Sequence, residues 1–263
     1  MTKIYIVLGL VTIILLSCLS TFYFRNMTET FQTNHIQNHI TFLTKEELTE
    51  FIERDNDTYI ASFSKDDLQI RNSRSVHDYK NTIQHSFCSV EQSIQDKISK
   101  CISKIENQNE KMTEKDIWDI DYQKLMQIPW KIGCTCDDKY ENGFPHTRED
   151  IIILPADKIQ SMQVHDLCKL LIHEKIHVYQ RLYSTEIENN LKKRGFQIVG
   201  TRKNNPANPD LNFYKYTHYK LGDFYATYKD NPHSFHDIQY ANGKSSFEHP
   251  YEHMAYAIAE EFE

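Results

Sequence analysis

The chain has 263 residues with 40% hydrophobic and 25% charged side chains, and its formal net charge is −7 at pH 7. This composition is typical of a folded protein, and the length is sufficient for a substantial hydrophobic core. A negative balance without a large basic cluster argues against nucleic acid as a partner. Function must therefore be carried by particular motifs and not by bulk charge.

An uninterrupted apolar run opens the chain, from Ile4 to Phe24 between Lys3 and Arg25. It is long enough for one helix to cross a bilayer, whereas a cleaved secretory signal would have a shorter apolar core and small residues at its cut site. Residues 4–24 therefore predict a single transmembrane anchor, with the membrane as a partner. The small excess of positive charge before the run favours an extracytoplasmic or lumenal location for the domain that follows.

The remaining chain predicts an α+β protein behind this anchor. We expect an anchor at 1–25, a polar stalk at 26–40, a mainly helical N-terminal lobe at 41–130 and a catalytic region at 131–263. Within the lobe, cap signals and apolar periodicity predict helices at 44–54, 89–106 and 113–126, and a β-rich composition predicts a strand at 58–63.

The second region mixes strand and helix patterns. The apolar run Ile151-Ile152-Ile153-Leu154, closed by Pro155, predicts a buried or edge strand. Two helices are expected after it, at 165–183 and 185–194, followed by a loop at 200–210. Aromatic-rich stretches predict further strands at 212–219, 223–228 and 234–240.

The pentapeptide His173-Glu174-Lys175-Ile176-His177 lies within the predicted helix at 165–183. Positions i and i+4 share one face of a helix, so both imidazoles can reach one zinc ion. Glu174 is close enough to act as general base on a zinc-bound water. The motif predicts two ligands and a base, and the alternative is a buried amphipathic helix whose histidines bond to backbone groups.

A catalytic zinc site needs a third protein ligand. The residue six positions after His177 is Tyr183 and not His, and no G-T-x-D follows, so two common ligand patterns are absent. Near the C-terminus, Pro250 predicts the start of an Ala-rich helix with a glutamate in its first turn. Glu252 is the preferred third ligand. The alternatives are His249 first, then Glu248 and His253, or a solvated helix start without metal.

On residues 165–183 and 247–260 the chain resembles the glutamate zincins, HExxH metallopeptidases whose third ligand is a Glu on a downstream helix. The resemblance implies a zincin-like catalytic domain that uses Zn²⁺ as cofactor. By this resemblance, zinc would be bound by His173, His177 and Glu252. Glu174 would be the catalytic base. Two departures are the 75 residues between the helices (252 minus 177) and Tyr256, four positions after the Glu, where the family often has an acidic residue.

Substrate contacts are also implied by the resemblance. In zincins an extended substrate pairs with the edge strand before the HExxH helix, which here would be Ile151, Ile152 and Ile153. His146 leads into that strand and is predicted to contact the substrate with it. Arg148 lies in the same segment, and the alternative for both is an ordinary polar turn. A donor for the developing oxyanion is expected from the aromatic stretch, which contains Tyr214, Tyr216, His218 and Tyr219.

Five cysteines follow the anchor, at 88, 101, 134, 136 and 168. Cys134 and Cys136 are too close in sequence to pair easily with each other, so each could reach Cys88 or Cys101. Cys168 is expected to be a buried thiol.

The sequence therefore predicts a membrane-anchored zinc metallopeptidase that hydrolyses peptide bonds with a zinc-activated water. A second class is a catalytically inactive, zincin-like binding protein tethered to the membrane. A third is a structural zinc protein, which would need a fourth protein ligand such as His249 or His253. The presence of Glu174 beside the histidines favours the enzyme.

Overall fold

A computed structural model describes residues 39–108, 118–201, 205–211, 216–220, 226–240 and 247–262, with the backbone alone at 198–201 and 216–220. The predicted anchor at 4–24 and the predicted stalk, apart from its last two residues, lie outside these ranges. Within them, no helix combines the length and the apolar character needed to cross a membrane. The residues from Thr41 to Glu263 form one compact unit.

The described residues form both helices and strands. The α-helices are α1 (Lys45–Arg54), α2 (Lys65–Ile70), α3 (Val76–Ile83), α4 (Gln92–Asn107), α5 (Tyr122–Gln127), α6 (Ala156–Ser161), α7 (Val164–Leu182), α8 (Ser184–Lys193) and α9 (Pro250–Glu260). The strands are β1 (Ile40–Phe42), β2 (Phe87–Cys88), β3 (Trp130–Thr135), β4 (His146–Arg148), β5 (Ile151–Pro155), β6 (Gln197–Thr201), β7 (Tyr216–Lys220), β8 (Ala226–Tyr228) and β9 (Ile238–Tyr240). This mixture agrees with the predicted α+β class.

The main sheet has the order β1-β3-β5-β4, and β2 pairs with β3 as well. Strands β3 and β5 are parallel, whereas β4 and β5 are antiparallel. Two parallel neighbours must be joined by a crossover connection. Here the connection from β3 to β5 contains β4, which pairs with β5 on the side away from β3. The sheet thus places β5 in its interior and β4 at its edge.

The prediction of a substrate-binding edge at Ile151, Ile152 and Ile153 is wrong. These side chains are at most 6% exposed, and β5 is paired on both sides, so it offers no free backbone edge. An apolar run without alternation is the pattern of a strand buried on both faces. The edge strand is β4, where the backbone N–H of Thr147 is already donated to Asp210 Oδ1 at 2.7 Å.

Two short predicted elements also differ in the structure. The strand expected at 58–63 is a 3₁₀ turn, Ile60–Ser62, because the Asp55 carboxylate accepts from the backbone N–H groups of Ile60 and Ala61. The side chain thereby caps a helical turn in a stretch that composition alone favours as extended. In the loop expected at 200–210, the first residues continue β6 to Thr201.

The helix that contains the HEKIH motif, α7, agrees within one residue at each end with the prediction. Every residue from Leu171 to Gln180 is buried, so this segment is surrounded by protein on all sides. Even Lys175 is enclosed, with its ammonium donating to the Ile128 carbonyl and lying 3.7 Å from the centroid of the Trp130 ring. A helix held on all faces gives fixed positions to the side chains it carries.

Disulfides connect helix α7 and the sheet to the first half of the chain. Cys101 on α4 pairs with Cys168 on α7, so the prediction of a buried thiol at Cys168 is wrong. Cys136 pairs with Cys88, one of the pairings that the sequence left open. Cys134 is the free cysteine of the described residues and is buried. The sequence does not indicate this disulfide, because Cys101 and Cys168 are 67 residues apart and only the packing of α4 on α7 brings them together.

The hydrophobic core includes residues from both halves of the chain. Leu48 and Ile52 of α1 share one cluster with Ile151 and Ile153 of β5. Helix α1 approaches β3 so closely that a Cβ at Gly133 would lie 2.8 Å from Leu48 Cδ2. Helix α1 therefore packs on the same sheet that supports α7.

Candidate metal centre

Three side chains from α7 and α9 converge on one point. The Nε2 atoms of His173 and His177 are 3.1 Å apart, and Glu252 Oε2 is 3.6 Å from each. Donor atoms around a tetrahedral zinc with bonds of about 2.0–2.1 Å are about 3.3 Å from one another. The separations found here lie on both sides of that value, so the three atoms fit three corners of a zinc tetrahedron.

The orientation of His177 is set by Gln180, one turn later on α7. His177 Nδ1 lies 2.9 Å from Gln180 Oε1, and the Gln180 amide nitrogen donates to the Tyr251 carbonyl at 3.1 Å. Because the second bond fixes which end of the amide is oxygen, Nδ1 of His177 must carry hydrogen toward it. Its Nε2 is then the atom that faces Glu252 and is available to a metal.

Asn208 holds the carboxylate of Glu252. Its amide donates to Glu252 Oε1 at 3.0 Å and also to Glu248 Oε1, which leaves Oε2 of Glu252 directed at the histidines. Helix α9 begins at Pro250, and the His249 side chain accepts from the Tyr251 backbone N–H at its N-terminus. Glu252 thereby sits in the first turn, where the helix dipole favours a carboxylate.

The competing third ligands have other neighbours. His249 Nδ1 caps α9, and Glu248 Oε1 accepts from Asn208. The His253 ring stacks on Phe247 with centroids 5.4 Å apart and meets Trp118 edge-on at 5.5 Å. Of the four candidates that the sequence left open, Glu252 is the one that the structure brings to both histidines.

Charges within the cluster shift the pKa values of all three side chains. Burial lowers the pKa of His177, but the charges of Glu252 and Asp210 outweigh it and raise that pKa to about 9. Burial and the charge of His177 lower the pKa of His173 to about 4. Burial raises the pKa of Glu252, yet attraction to His177 prevails and lowers it to about 2. Negative charge at this point therefore favours a cation.

Glu174 is 2% exposed, and its Oε2 atom has no hydrogen-bond partner. Burial, with the charge of Asp210, raises its pKa well above the ordinary value. An enclosed carboxyl without a partner is costly unless a ligand or reacting group uses it. Next to the two histidines, such a group is suited to accept and return a proton.

A cavity of about 270 Å³ borders the cluster, and Glu252 and Tyr256 belong to its wall. Three of the four large hydrophobic side chains that are exposed in the described residues line it: Phe144, Tyr240 and Tyr256. Tyr256 also contacts the first ligand, with its ring centroid 4.4 Å from that of His173. A space walled by exposed aromatic groups beside the cluster is typical of a ligand site.

The segment 205–211, most of which the sequence predicts as a loop without a role, forms one side of this cavity. It supplies Asn208 to Glu252, and it supplies Asp210, whose Oδ1 accepts from the Thr147 hydroxyl at 2.9 Å. Arg181 on α7 holds this segment in place by donating a hydrogen bond to the Pro209 carbonyl at 2.7 Å. Asn and Asp next to prolines are the signal of a turn, and no local pattern indicates which site the turn will contact.

The remaining predicted site residues are His146, Arg148 and the candidate oxyanion donors, and the structure places them differently. His146 is buried and lines the cavity. Arg148 points instead into the core, where its guanidinium bonds Asp55 at 2.8 Å and also pairs with Asp57. Of the proposed oxyanion donors, Tyr214 lies outside the described residues, and Tyr216, His218 and Tyr219 lie on β7, where the backbone alone is described.

Comparison with known proteins does not assign the chain to a family. No protein-family model, no curated protein and no solved structure matches the chain. Over the described ranges, His173, His177 and Glu252 form a group whose ligand atoms all lie within 4.8 Å of one another.

Proposed function

We propose that the protein is a zinc-dependent metallopeptidase of the zincin type. The observation that carries the proposal is the convergence of His173, His177 and Glu252 with an enclosed, unpartnered glutamate, Glu174, beside the first histidine. Two imidazoles and one carboxylate are a donor set of catalytic zinc sites, which leave a fourth position to water or substrate.

The residues divide the work of peptide hydrolysis between them. Bound in this centre, zinc would acidify a water and polarise a carbonyl. Glu174 would take a proton at its carboxylate and return it to the leaving amine. Gln180 and Asn208 would keep the ligands oriented. Tyr256 remains protonated, because burial and the nearby glutamates raise its pKa, and so its hydroxyl can donate to a developing oxyanion.

A peptide is the substrate that the surroundings favour. The aromatic cavity next to Glu252 can enclose a side chain of an extended chain, whereas a small soluble metabolite would leave its exposed rings uncovered. The peptide would pass along the cavity and not along β5, whose two sides are paired.

An oxidising compartment is part of the proposal. Two disulfides, Cys88–Cys136 and Cys101–Cys168, are typical of secreted or extracytoplasmic domains. They agree with the location that residues 4–24 would give the domain if those residues anchor it in a membrane. The proposal is thus a membrane-anchored enzyme acting outside the cytoplasm or in a lumen.

The competing functions make different demands on the same centre. A structural zinc site needs four protein ligands, and within the described ranges the cluster contains three. An inactive binding protein has no use for Glu174 as an enclosed, unpartnered carboxyl. The chemistry therefore favours the enzyme over both alternatives.

The test uses the full-length chain purified in mild detergent. We expect one bound zinc per chain, cleavage of a mixture of peptides detected by mass spectrometry, loss of cleavage after chelation, and recovery when zinc is restored. Stoichiometric zinc without cleavage of any peptide would support a binding or structural role. Cleavage that survives complete removal of metal would contradict the proposal.

A further inference from the structure

The cavity beside the metal centre has one acceptor that is enclosed and unused. His146 is 2% exposed, and its Nδ1 lies 2.8 Å from the Phe144 carbonyl. Since a carbonyl only accepts, Nδ1 carries the hydrogen, and burial lowers the pKa of the ring so that it stays neutral. Nε2 is then a lone-pair acceptor without a hydrogen-bond partner, in a residue that lines the cavity.

The charged groups of the cavity wall are also acceptors. Asp210 and Glu248 lie in the lining with the metal-facing Glu252. The fourth carboxylate of the wall, Glu141, is matched by Arg71 in a buried ion pair and contributes little net charge. Among the residues that the structure describes, the lining includes no lysine or arginine, so the charge that these residues leave is negative.

Cations near the wall do not cancel this charge. The guanidinium of Arg71 faces Glu141, and Arg181 donates to backbone carbonyls and to Thr147. Lys158 is exposed at the rim, with its ammonium donating to the Gly143 carbonyl, so its charge is screened by solvent. Over the described part of the chain, Asp210, Glu248 and Glu252 therefore give the cavity wall a net negative charge.

Resting on the proposed peptidase function, we infer that this cavity binds a basic side chain of the substrate, with arginine preferred over lysine. The aromatic walls would cover the apolar stem and the flat guanidinium face. The guanidinium would donate to His146 Nε2 and to the carboxylates of Asp210 and Glu248. A neutral apolar side chain offers no donor to His146 Nε2 and no counter-charge to the two carboxylates, and an acidic one meets like charge.

Binding can be tested apart from turnover in the zinc-loaded, full-length Glu174→Gln variant. Short fluorescent peptides of Ala and Ser would carry one central Arg, Lys, citrulline, norleucine or Glu, with affinity read by anisotropy. We expect the Arg peptide to bind at least about tenfold more tightly than the norleucine peptide, as charge-assisted bonds would give. Citrulline should fall between them, because it keeps donors and loses the charge.

Two isosteric changes in the same background locate the preference. Asp210→Asn and Glu248→Gln should each reduce the ratio of Arg to norleucine affinity to about threefold or less. Glu46→Gln, which removes one exposed charge on α1, should leave the ratio unchanged. Each ratio is taken within one protein, so a general loss of folded material cancels.

Equal affinity for the Arg and norleucine peptides would overturn the inference, as would a full preference in both Asp210→Asn and Glu248→Gln. Selective binding by this cavity together with no cleavage of the Arg peptide by the wild type would contradict the peptidase proposal and support the cavity. Cleavage without side-chain preference would contradict the cavity alone.

Discussion

Two buried polar clusters lie on either side of the same cavity, and they differ in how their groups are satisfied. In the first, both oxygens of Glu141 are used: Arg71 bonds each of them, Tyr59 donates to Oε2 at 2.9 Å, and Tyr79 donates to Oε1 at 2.8 Å. In the second, the metal centre, Glu174 Oε2 and His173 Nδ1 have no hydrogen-bond partner.

The difference separates a group that holds the fold from one that would serve a reaction under the proposed function. A buried charge with every partner in place fixes the arrangement of the elements around it, and removing one partner leaves the other charge buried alone. A buried carboxyl without partners is retained where chemistry needs it. We therefore expect changes at Glu141 to affect stability, and changes at the metal centre to affect metal and turnover.

The largest expected effect comes from Glu174→Gln. Loss of the proton acceptor should lower kcat/KM for a cleaved peptide about a thousandfold, the range of general acid–base catalysis, while bound zinc stays at one per chain. Steady-state cleavage and metal analysis on the same preparation measure both. Glu260→Gln, a similar change at a side chain 69% exposed, should retain wild-type activity. Equal activity of Glu174→Gln and wild type would exclude Glu174 as the base.

Glu252→Gln should weaken zinc binding by more than about a hundredfold, because a charged ligand is replaced by a neutral amide. Competition with a chromophoric chelator measures the affinity. The matched control is again Glu260→Gln, on the same helix and paired with Lys169 at the surface. If zinc affinity is unchanged by Glu252→Gln, the third ligand is another residue.

Glu141→Gln should lower the free energy of unfolding by about 3 kcal/mol or more, because Arg71 is left buried without its counter-charge. Urea unfolding measures this loss, and zinc content per folded molecule should not change. Glu50→Gln removes an exposed ion pair with Arg54 and should cost less than about 1 kcal/mol. If Glu141→Gln lost zinc but kept the stability of the wild type, Glu141 would serve the metal centre and not the fold.

The ion pair between Glu141 and Arg71 also predicts how the stability of the fold depends on pH. Burial raises the pKa of Glu141, but Arg71 outweighs it, so the folded-state pKa lies below the ordinary 4.5. A depressed pKa contributes stability that is complete above the unfolded-state value and is lost as pH falls through the folded-state value. The difference in unfolding free energy between wild type and Glu141→Gln should therefore shrink as pH falls below about 4.5. A difference that stays constant down to pH 3 would contradict this.

The smallest expected effect concerns Gln180. Gln180→Leu removes the acceptor of His177 Nδ1 and should weaken zinc binding about 10–100-fold, as loss of a partner to a metal ligand does. Gln180→Glu keeps an acceptor and should lose less than Gln180→Leu. If the two variants bind zinc equally, the contact to His177 has no orienting role.

Local signals predicted much of the helical structure. The capping box at Thr44 and Glu47 marks the start of α1, and periodic apolar residues mark α4. Helices α2 and α3 were missed, although Ser64 and Ser75 cap them with an aspartate three residues later. Their short length gives little periodicity, so the caps were their main signal.

The sequence by itself determined the half of the site that one helix carries. Spacing along α7 places His173 and His177 on one face with Glu174 next to them, since helical geometry depends on neighbours in the chain. The sequence favoured Glu252 as third ligand but left His249, Glu248 and His253 open. Only the tertiary structure decided among these four, placed Gln180 and Asn208 beside the candidate ligands and made β5 an interior strand. These contacts join residues far apart in sequence, and packing, not local pattern, selects them.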